Sequence, residues 1–252
     1  MAIELDPIEQ FEIHKMFEFK LGGFDLGFTN SSFMMVVAVG LISLFLFMAT
    51  TKRSLIPGRL QSVAEMSYEF VANMVKSTAG KDGLKFFPFI YALFMFILFA
   101  NLLGLIPFFF TTTSHIVITV AMALAVWLLV IFVGLYKHGF KFFKLFVPSG
   151  VPWYIIWFVV ILEVISFFSR PLSHSVRLWA NMLAGHIMLK LFAGFIIAML
   201  GASGLLIKLG AIGPAFMTLA LTPLEILVAF LQAYVFAILT SVYISDALHP
   251  GH

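Results

Sequence analysis

Long stretches without any charged side chain constrain this chain more than any other feature. Residues 33–49 form a near-unbroken apolar run, and residues 86–110 and 116–136 form two more. Each run, with its flanks, is long enough to cross the hydrocarbon core of a bilayer, which is about 30 Å thick. Charged residues make up only 11% of the chain, against roughly 25% in a soluble domain. The sequence therefore predicts an all-α polytopic membrane protein.

Composition and motifs also exclude several function classes. The chain has no cysteine, which excludes disulfide frameworks, thiolate metal sites and cysteine nucleophiles. Its net charge of +3 is small and scattered, so we expect no nucleic-acid partner. The segment nearest to a phosphate-binding loop, Gly80-Lys81-Asp82, lacks the earlier glycine and the following hydroxyl. We therefore predict no nucleotide on this chain, no cofactor and no metal site.

The charge distribution predicts the orientation of the N-terminal part. Residues 1–30 contain six acidic and two basic residues, unlike a signal or transit peptide, and are predicted to form an external amphipathic arm. The first span, 31–51, is followed at once by a basic cluster: Lys52, Arg53 and Arg59. By the positive-inside rule, the N-terminus then lies outside and residues 52–85 lie in the cytoplasm.

The next two segments are an in-plane helix and a transmembrane hairpin. Within 52–85, apolar residues recur at helical spacing, which predicts an amphipathic helix on the membrane surface: Leu60, Val63, Met66, Phe70, Val71 and Met74. The hairpin, 86–136, has no Lys or Arg in its link and a basic far end at Lys137, Lys141 and Lys144. It is therefore expected to turn outside and return to the cytoplasm.

The C-terminal part, 153–248, is predicted to contain two long, strongly tilted helices. The stretch from Trp153 to Leu200 has no loop that could leave the membrane. As one helix, its roughly 46 residues would rise about 69 Å, more than twice the hydrocarbon thickness. It is either two spans with a tight turn near Pro171 or one tilted helix. A glycine-rich turn at 201–214 and a last helix from Thr218 to Leu248 complete a single membrane domain, 1–252.

Ionisable residues concentrate in these last helices, and such residues are costly inside a bilayer. At about 100° per residue, seven polar side chains fall within an arc about 100° wide: Glu163, Ser166, Arg170, Ser173, His174, Arg177 and Asn181. This polar stripe stays in phase across Pro171, which favours one continuous helix. The last helix carries a sparser polar face with Glu225, Gln232 and Tyr243.

Several of these residues also have simpler interpretations. Glu163 and Arg170 suit either a structural ion pair or a functional role, and Lys190 and Lys208 suit snorkelling side chains. Asp246 and the histidines after it are interpreted as solvated groups at the membrane edge. Arg177 has no acid one turn away on its own helix, so we expect its carboxylate partner on another subunit.

Proton movement is the chemistry that suits this pattern. A guanidinium stays protonated, so Arg177 can act as a fixed positive barrier but cannot relay a proton. Glutamate and histidine do titrate, and their surroundings can bring either towards neutral pH. A permanent cation flanked by titratable groups separates two regions that protons can reach.

Several motifs resemble one known family. They are Ser169-Arg170-Pro171-Leu172-Ser173, Arg177-Leu178-Trp179-Ala180-Asn181-Met182, Ala184-Gly185-His186, the run Leu231-Gln232-Ala233-Tyr234-Val235-Phe236 with Leu239-Thr240 and Tyr243-Ile244, and the run Asn101-Leu102-Leu103-Gly104-Leu105-Ile106-Pro107. Together they closely resemble the signature of subunit a of the F-type ATP synthases, over about residues 60–248. The resemblance implies a stator subunit with no catalytic site of its own. The partners it implies are a rotating ring of c subunits, b-type peripheral-stalk subunits, the rest of the ATP synthase and membrane lipid.

The resemblance also implies roles for individual residues. Arg177 matches the arginine that attracts the ring carboxylate and blocks a leak between two aqueous half-channels. Asn181 and Gln232 match polar partners of that arginine, and His186 and Glu225 match a pair in the outer half-channel. The inner half-channel is implied to contain Glu163, Ser166 and Ser173, with His174 and Arg170 on the same stripe. The family places the C-terminus in the cytoplasm, and a bacterial inner membrane is expected, with the mitochondrial inner membrane as the alternative.

Rival functions fit less well. Gly201-Ala202-Ser203-Gly204 mimics the nucleophile motif of a rhomboid protease, but no histidine follows Ser203 before His249 to act as the base. A zinc protease would need a His-Glu-x-x-His helix, which is absent from the sequence. The remaining alternative is a proton-coupled secondary transporter, which usually has inverted halves. Polarity here is confined to roughly the last 100 residues, which favours a half-site completed by a partner.

Overall fold

The computed structural model describes most of the chain between Ile13 and His249. The described residues are 13–17, 20–21, 24–25, 27–51, 54, 56–106, 109–147 and 153–249. Several charges used in the topology prediction lie outside them: the acidic residues before position 13, Glu18, Lys52 and Arg53.

Helices dominate the described residues. The α-helices are α1 (Asn30–Thr51), α2 (Arg59–Gly83), α3 (Phe87–Gly104), α4 (Ile116–His138), α5 (Ile156–Gly201), α6 (Leu205–Gly210) and α7 (Ile212–Leu248). Five helical stretches are long and apolar enough to cross a membrane: Asn30–Thr51, Arg59–Gly104, Ile116–His138, Ile156–Gly201 and Leu205–Leu248. The predicted all-α polytopic class is confirmed.

Short strands occupy the described part of the N-terminal arm. β1 (Lys15–Phe17) pairs antiparallel with β4 (Phe28–Thr29), and β2 (Lys20–Leu21) pairs with β3 (Phe24–Asp25). β4 leads directly into α1, where Ser32 N–H donates to the Thr29 hydroxyl at 3.2 Å. This side-chain acceptor satisfies one of the free amides of the first helical turn.

α2 divides its apolar residues between two environments. In its second half, Val71, Met74 and Val75 are buried in the core, and the helix packs against α3 and α7. Leu60 and Met66, in the first half, are exposed. The predicted apolar stripe therefore serves as a core contact only towards the C-terminal end, and the earlier residues leave an apolar surface that suits lipid.

The link between α3 and α4 folds back into the protein. We call residues Thr111–Ser114 the hydroxyl loop; all four are buried, and Thr112–Ser114 form a turn of 3₁₀ helix. α3 ends at Gly104, before the predicted end of the span at 110. A Cβ at Gly104 would lie 2.7 and 2.8 Å from two atoms of the Thr111 side chain, so a glycine is needed where the loop crosses the helix.

α5 is a single helix of 46 residues that runs through Pro171. The phase of the polar stripe favoured this continuous helix over two spans. The glycine-rich segment 201–214 differs from its prediction, because it contains α6 and the start of α7 rather than one turn. Pro214 lies in the first turn of α7, where a proline removes no intrahelical hydrogen bond, so α7 begins six residues before the predicted Thr218.

α7 is the central helix of the domain. It packs against α2, α3, α4 and α5, and small residues such as Ala229, Ala233 and Ala237 line its fully buried positions. α5, in contrast, buries one side against α4 and α7 and leaves much of its apolar length exposed. The domain therefore has a packed side around α7 and an open side along α5.

Close packing at Gly134 provides a test of this arrangement. A Cβ at Gly134 would overlap the ring of Phe142, in the 3₁₀ segment Gly139–Phe146 that follows α4. We predict that Gly134→Ala lowers the free energy of unfolding by about 1–3 kcal/mol, the usual range for overpacking. Denaturation by sodium dodecyl sulfate in mixed micelles, followed by circular dichroism, measures this change.

Gly40→Ala is the matched control, because a Cβ at Gly40 meets nothing within 4 Å. This variant should be neutral or slightly more stable, since alanine favours a helix interior by up to about 1 kcal/mol. Equal unfolding curves for the two variants would contradict the packing described here.

Candidate functional site

The predicted polar stripe of α5 divides into a buried part and an exposed part. His174 is buried, and the Arg170 side chain is only 18% exposed. The exposed residues are Ser166, Ser173, Arg177 and Asn181. One part of the stripe therefore packs within this chain, and the other lies on the open side of α5.

Arg170 lies at the centre of an ion-pair cluster between α5 and α7. Its Nη1 donates to Asp246 Oδ2 at 2.8 Å, and its Nη2 lies 3.6 Å from Glu163 Oε1. The guanidinium also lies 5.2 Å from the centre of the Tyr243 ring, within cation–π range. One cation thus faces two carboxylates, and the cluster carries a formal negative charge when both are ionised.

This cluster corrects one sequence interpretation. An ion pair of Glu163 and Arg170 along α5 was one of the two interpretations that the sequence left open, and the structure contains it. Asp246, however, was interpreted as a solvated group. Its side chain is 33% exposed and forms the shorter of the two ion pairs. Little in the sequence indicated the ion pair of Arg170 and Asp246, because the two residues are 76 positions apart. They meet only when α7 packs on α5.

His174 lies deeper in the same helix interface. Its ring centroid is 3.8 Å from that of Phe236 on α7, at an angle of 71°. Its Nε2 is buried and has no hydrogen-bond partner among the described atoms. His174 therefore fills a packing position between the two helices and presents one nitrogen that no described residue satisfies.

Arg177 has a different environment. Its side chain is exposed, and no ion pair among the described residues includes it. Asn181, one turn further along α5, is also exposed, whereas Gln232 is buried on α7. The structure therefore brings Asn181 to the same open face as Arg177, but no described hydrogen bond joins Gln232 to Arg177.

His186 and Glu225 lie close together at the outer end of the predicted path. His186 is 7% exposed, and its Nε2 lies 3.3 Å from the Thr111 hydroxyl. A Cβ at Gly185, the residue before His186, would overlap Glu225 Oε1, so the Glu225 carboxylate packs on the backbone beside His186. Among the described residues, no direct hydrogen bond or ion pair joins His186 to Glu225.

The hydroxyl loop supplies polar groups that the sequence interpretation did not assign. The Thr113 hydroxyl donates to Asn101 Oδ1 at 2.8 Å, and Asn101 Nδ2 donates to the Ala229 carbonyl of α7 at 3.2 Å. Asn101 and Thr113 are completely buried. The four adjacent hydroxyl residues were visible in the sequence, but nothing there indicated that this loop turns inward to reach α5 and α7.

His115 closes the loop at the start of α4. Its ring stacks on Phe110, with the centroids 4.8 Å apart and the planes at 13°. Burial lowers the pKa of His115, because the charged imidazolium would lose its hydration. His115 is thus held in its neutral form more strongly than a histidine in water.

The described residues contain no group of three histidine, aspartate or glutamate side chains that could hold a metal ion. The arrangement supplies groups that can bind and release protons. Titratable carboxylates and imidazoles lie along α5 and α7 together with buried hydroxyl and amide groups, all within an otherwise apolar domain. This fold and this site define a class: a multi-pass membrane protein with titratable groups on two of its long helices.

Comparison with known proteins gives the family. The model of the ATP synthase A chain family matches residues 32–245. ATP synthase subunit a of Rhodopseudomonas palustris strain BisB5 is 61% identical over 98% of this chain and 99% of its own length. The corresponding subunits of Maricaulis maris and Chelativorans are 56% and 60% identical, over 99% and 98% of this chain and 99% of their own lengths. This chain belongs to the ATP synthase A chain family.

Membership confirms the resemblance found in the motifs. The chain is a component of an ATP synthase complex and a multi-pass integral membrane protein. The relatives named here come from bacteria of the same broad group.

The ion-pair cluster yields a quantitative prediction. In a double-mutant cycle of Arg170→Gln and Asp246→Asn, we expect a coupling energy of about 1–2 kcal/mol, between the values for exposed and fully buried pairs. Denaturation by sodium dodecyl sulfate in mixed micelles measures the four free energies of unfolding.

The exposed pair of Lys85 and Asp82 is the control. Their charged atoms are 3.8 Å apart, and the side chains are 79% and 51% exposed. The cycle of Lys85→Gln and Asp82→Asn should give a coupling energy near zero. If the Arg170–Asp246 cycle also gives no coupling, the two helices are not joined by this ion pair.

Proposed function

We propose that this chain is the proton-translocating stator subunit of an F-type ATP synthase. It forms two half-channels that pass protons to and from the carboxylates of a rotating c-ring. Arg177 is the barrier between them. The observation that carries this proposal is the exposure of Arg177 on the open side of α5, without an ion-pair partner in the described part of the chain.

Electrostatics supports the assignment of Arg177. A permanent charge in a membrane span is costly unless a partner or water compensates it, and the other intramembrane arginine, Arg170, has two carboxylate partners within this chain. A ring carboxylate that passes the open face of α5 would supply the missing compensation. Because the guanidinium keeps its proton, it repels a proton that approaches from either side.

The polar clusters on either side of Arg177 line the two proposed half-channels. The outer half-channel uses His186 and Glu225, which the packing of α5 and α7 brings close together through Gly185. The inner half-channel uses Glu163, with Ser166 and Ser173 on the exposed part of the stripe. Its ion-pair cluster gives the inner mouth a negative charge that attracts protons.

The length of α5 fits this role. At about 1.5 Å per residue, a helix of 46 residues spans roughly 69 Å, so it crosses a bilayer of ordinary thickness only at a strong tilt. A tilted helix presents a long line of side chains to a neighbouring rotor. His186 lies nine residues after Arg177, about 180° around the helix, which places the outer half-channel behind the face that meets the rotor.

The proposal includes partners and orientation. The c-ring and b-type stalk subunits complete the membrane sector, and nucleotide chemistry takes place elsewhere in the complex. The N-terminus lies outside and the C-terminus in the cytoplasm of a bacterial inner membrane, in line with the distribution of basic residues and the bacterial relatives.

Arg177→Ala tests the barrier. We expect ATP-driven proton pumping by inverted membrane vesicles to fall by more than about 100-fold, a loss typical of removing an essential electrostatic group. Passive proton conduction should persist or increase, because the two half-channels are no longer separated. Fluorescence quenching of a pH-sensitive dye measures both.

Lys208→Ala is the matched control, since Lys208 is an exposed cation on α6 outside the proposed path. It should pump like the unmodified complex. If Arg177→Ala also pumps normally, Arg177 is a structural cation, and the proton-coupled transporter becomes the better hypothesis.

Cysteine cross-linking tests the face that meets the rotor. The chain has no cysteine, so single replacements are unambiguous. We expect Asn181→Cys, on the open face of α5, to form disulfides with a cysteine next to the carboxylate of the c subunit. Electrophoresis under non-reducing conditions detects the product.

The control is Leu172→Cys, nine residues earlier and about 180° around the helix. Leu172 is exposed, and in the proposed arrangement it faces lipid. It should react with a lipid-soluble maleimide and not with the c subunit. The reverse pattern would place the rotor on another face of α5.

A further inference from the structure

The buried contact between Thr111 and His186 has no place in the function proposed so far. Thr111 is 1% exposed and lies in the hydroxyl loop, 75 residues before His186. Its Oγ1 lies 3.3 Å from His186 Nε2 and 3.5 Å from the Gly104 carbonyl oxygen. One hydroxyl is therefore placed between an imidazole nitrogen and a backbone acceptor.

The surrounding packing fixes Thr111 in this position. Its side chain fills the space left by the missing Cβ of Gly104, and the Ser114 hydroxyl donates to its carbonyl oxygen at 2.6 Å. The loop is tied to α3 and α7 through the hydrogen bonds of Thr113 and Asn101. Thr111 is thus held by contacts that do not involve His186.

A hydroxyl can serve both protonation states of an imidazole. It has one O–H donor and two acceptor lone pairs, whereas a neutral imidazole has one donor and one acceptor nitrogen and an imidazolium has two donors. A nitrogen or N–H group buried without a partner is unfavourable. A partner that can switch between donor and acceptor removes that cost in both states.

We propose that Thr111 is a positioning residue for proton transfer through His186. When His186 is neutral with its proton on Nδ1, the Thr111 hydroxyl donates to Nε2. When Nε2 gains a proton, the imidazolium donates to Thr111 Oγ1, and the Thr111 hydroxyl turns to donate to the Gly104 carbonyl. In this step His186 takes one proton from the proposed outer half-channel, and Thr111 keeps its own.

This inference deepens the proposed function and rests on it, since it assumes that His186 lies on the outer half-channel. Among the described residues, Glu225 on α7 and Lys190 one turn along α5 are the charged groups that lie beside His186, and the hydroxyl loop that carries Thr111 leads into His115. α1 and α3 contain no aspartate, glutamate, histidine, lysine or arginine, and α4 carries such residues only at its far end. These groups remain in place when Thr111 alone is changed.

The test compares Thr111→Val with Thr111→Ser in the assembled complex. Valine keeps the shape and removes the hydroxyl, whereas serine keeps the hydroxyl. Passive proton conduction by the membrane sector is measured against the pH on the outer side. We expect valine to reduce conduction about tenfold and to shift the pH midpoint about one unit lower. Both protonation states lose a partner, but the charged imidazolium N–H loses more without an acceptor than the neutral nitrogen loses without a donor.

Serine should restore both the conduction, to within about twofold, and the pH midpoint. A valine variant with the unmodified pH profile would overturn the proposal. Equal losses in both variants at an unchanged midpoint would overturn it too, because they would indicate packing alone.

Gly104→Ala provides a second route to the same result. The added Cβ would meet the Thr111 side chain at 2.7–2.8 Å and displace its hydroxyl without removing it. If the valine variant fails to assemble, Gly104→Ala should still shift the pH midpoint downward, and an unchanged midpoint would count against the role of Thr111.

His186→Ala separates this inference from the function on which it rests. If His186→Ala leaves conduction and its pH profile unchanged, the outer half-channel has been assigned wrongly, and this inference fails with it. If His186→Ala changes both while Thr111→Val changes neither, the proposed function stands and the role of Thr111 is refuted. Adding Thr111→Val to His186→Ala should produce no further shift.

Discussion

The cost of placing charge in an apolar medium governs this structure. α1 and α3 contain no charged side chain, and α4 carries such residues only in its last turn. The charges within the long C-terminal helices lie on α5 and α7, which pack against each other. Within that interface the cost is met locally, because Arg170 faces two carboxylates. Polar groups outside it follow the same rule: Thr113 of the hydroxyl loop donates to Asn101 of α3, and Asn101 donates to a backbone carbonyl of α7. Arg177 differs, because its charge faces outward and is not compensated by any ion pair among the described residues. The proposed function depends on this exposed charge.

Much of the fold could be predicted from the sequence because the bilayer makes local rules dominant. Apolar runs indicated the spans, and the phase of the polar stripe across Pro171 favoured one long α5. Errors arose where tertiary contacts decide. The Arg170–Asp246 and Thr111–His186 contacts join residues 76 and 75 positions apart, and no local pattern connects them. The glycines and Pro214 of segment 201–214 indicated a turn, although Pro214 lies in the first turn of α7, where a proline is compatible with a helix.

Glycine has a specific role at three contacts of this domain. Gly104 admits the Thr111 side chain, Gly134 admits the ring of Phe142, and Gly185 admits the carboxylate of Glu225. In each case a missing Cβ allows a side chain from another segment to approach a helix backbone, as small residues commonly do between helices in membranes. Two of these glycines lie beside the proposed outer half-channel. The sequence motifs around Gly104 and Gly185 thus contain polar residues together with a glycine whose missing Cβ leaves room for the side chain of Thr111 or Glu225.

The open side of α5 links the stability of this chain to its assembly. Packing within the chain cannot compensate a charge that points away from it, so the energetic cost of Arg177 falls when a partner of opposite charge binds. If that partner bound as tightly as the Arg170 cluster, the rotor would stop. An exposed guanidinium, with the polar Asn181 on the same face, instead allows each ring carboxylate in the proposed mechanism to approach and leave. The same exposure that leaves Arg177 without an ion-pair partner among the described residues is therefore what the proposed rotating interface requires.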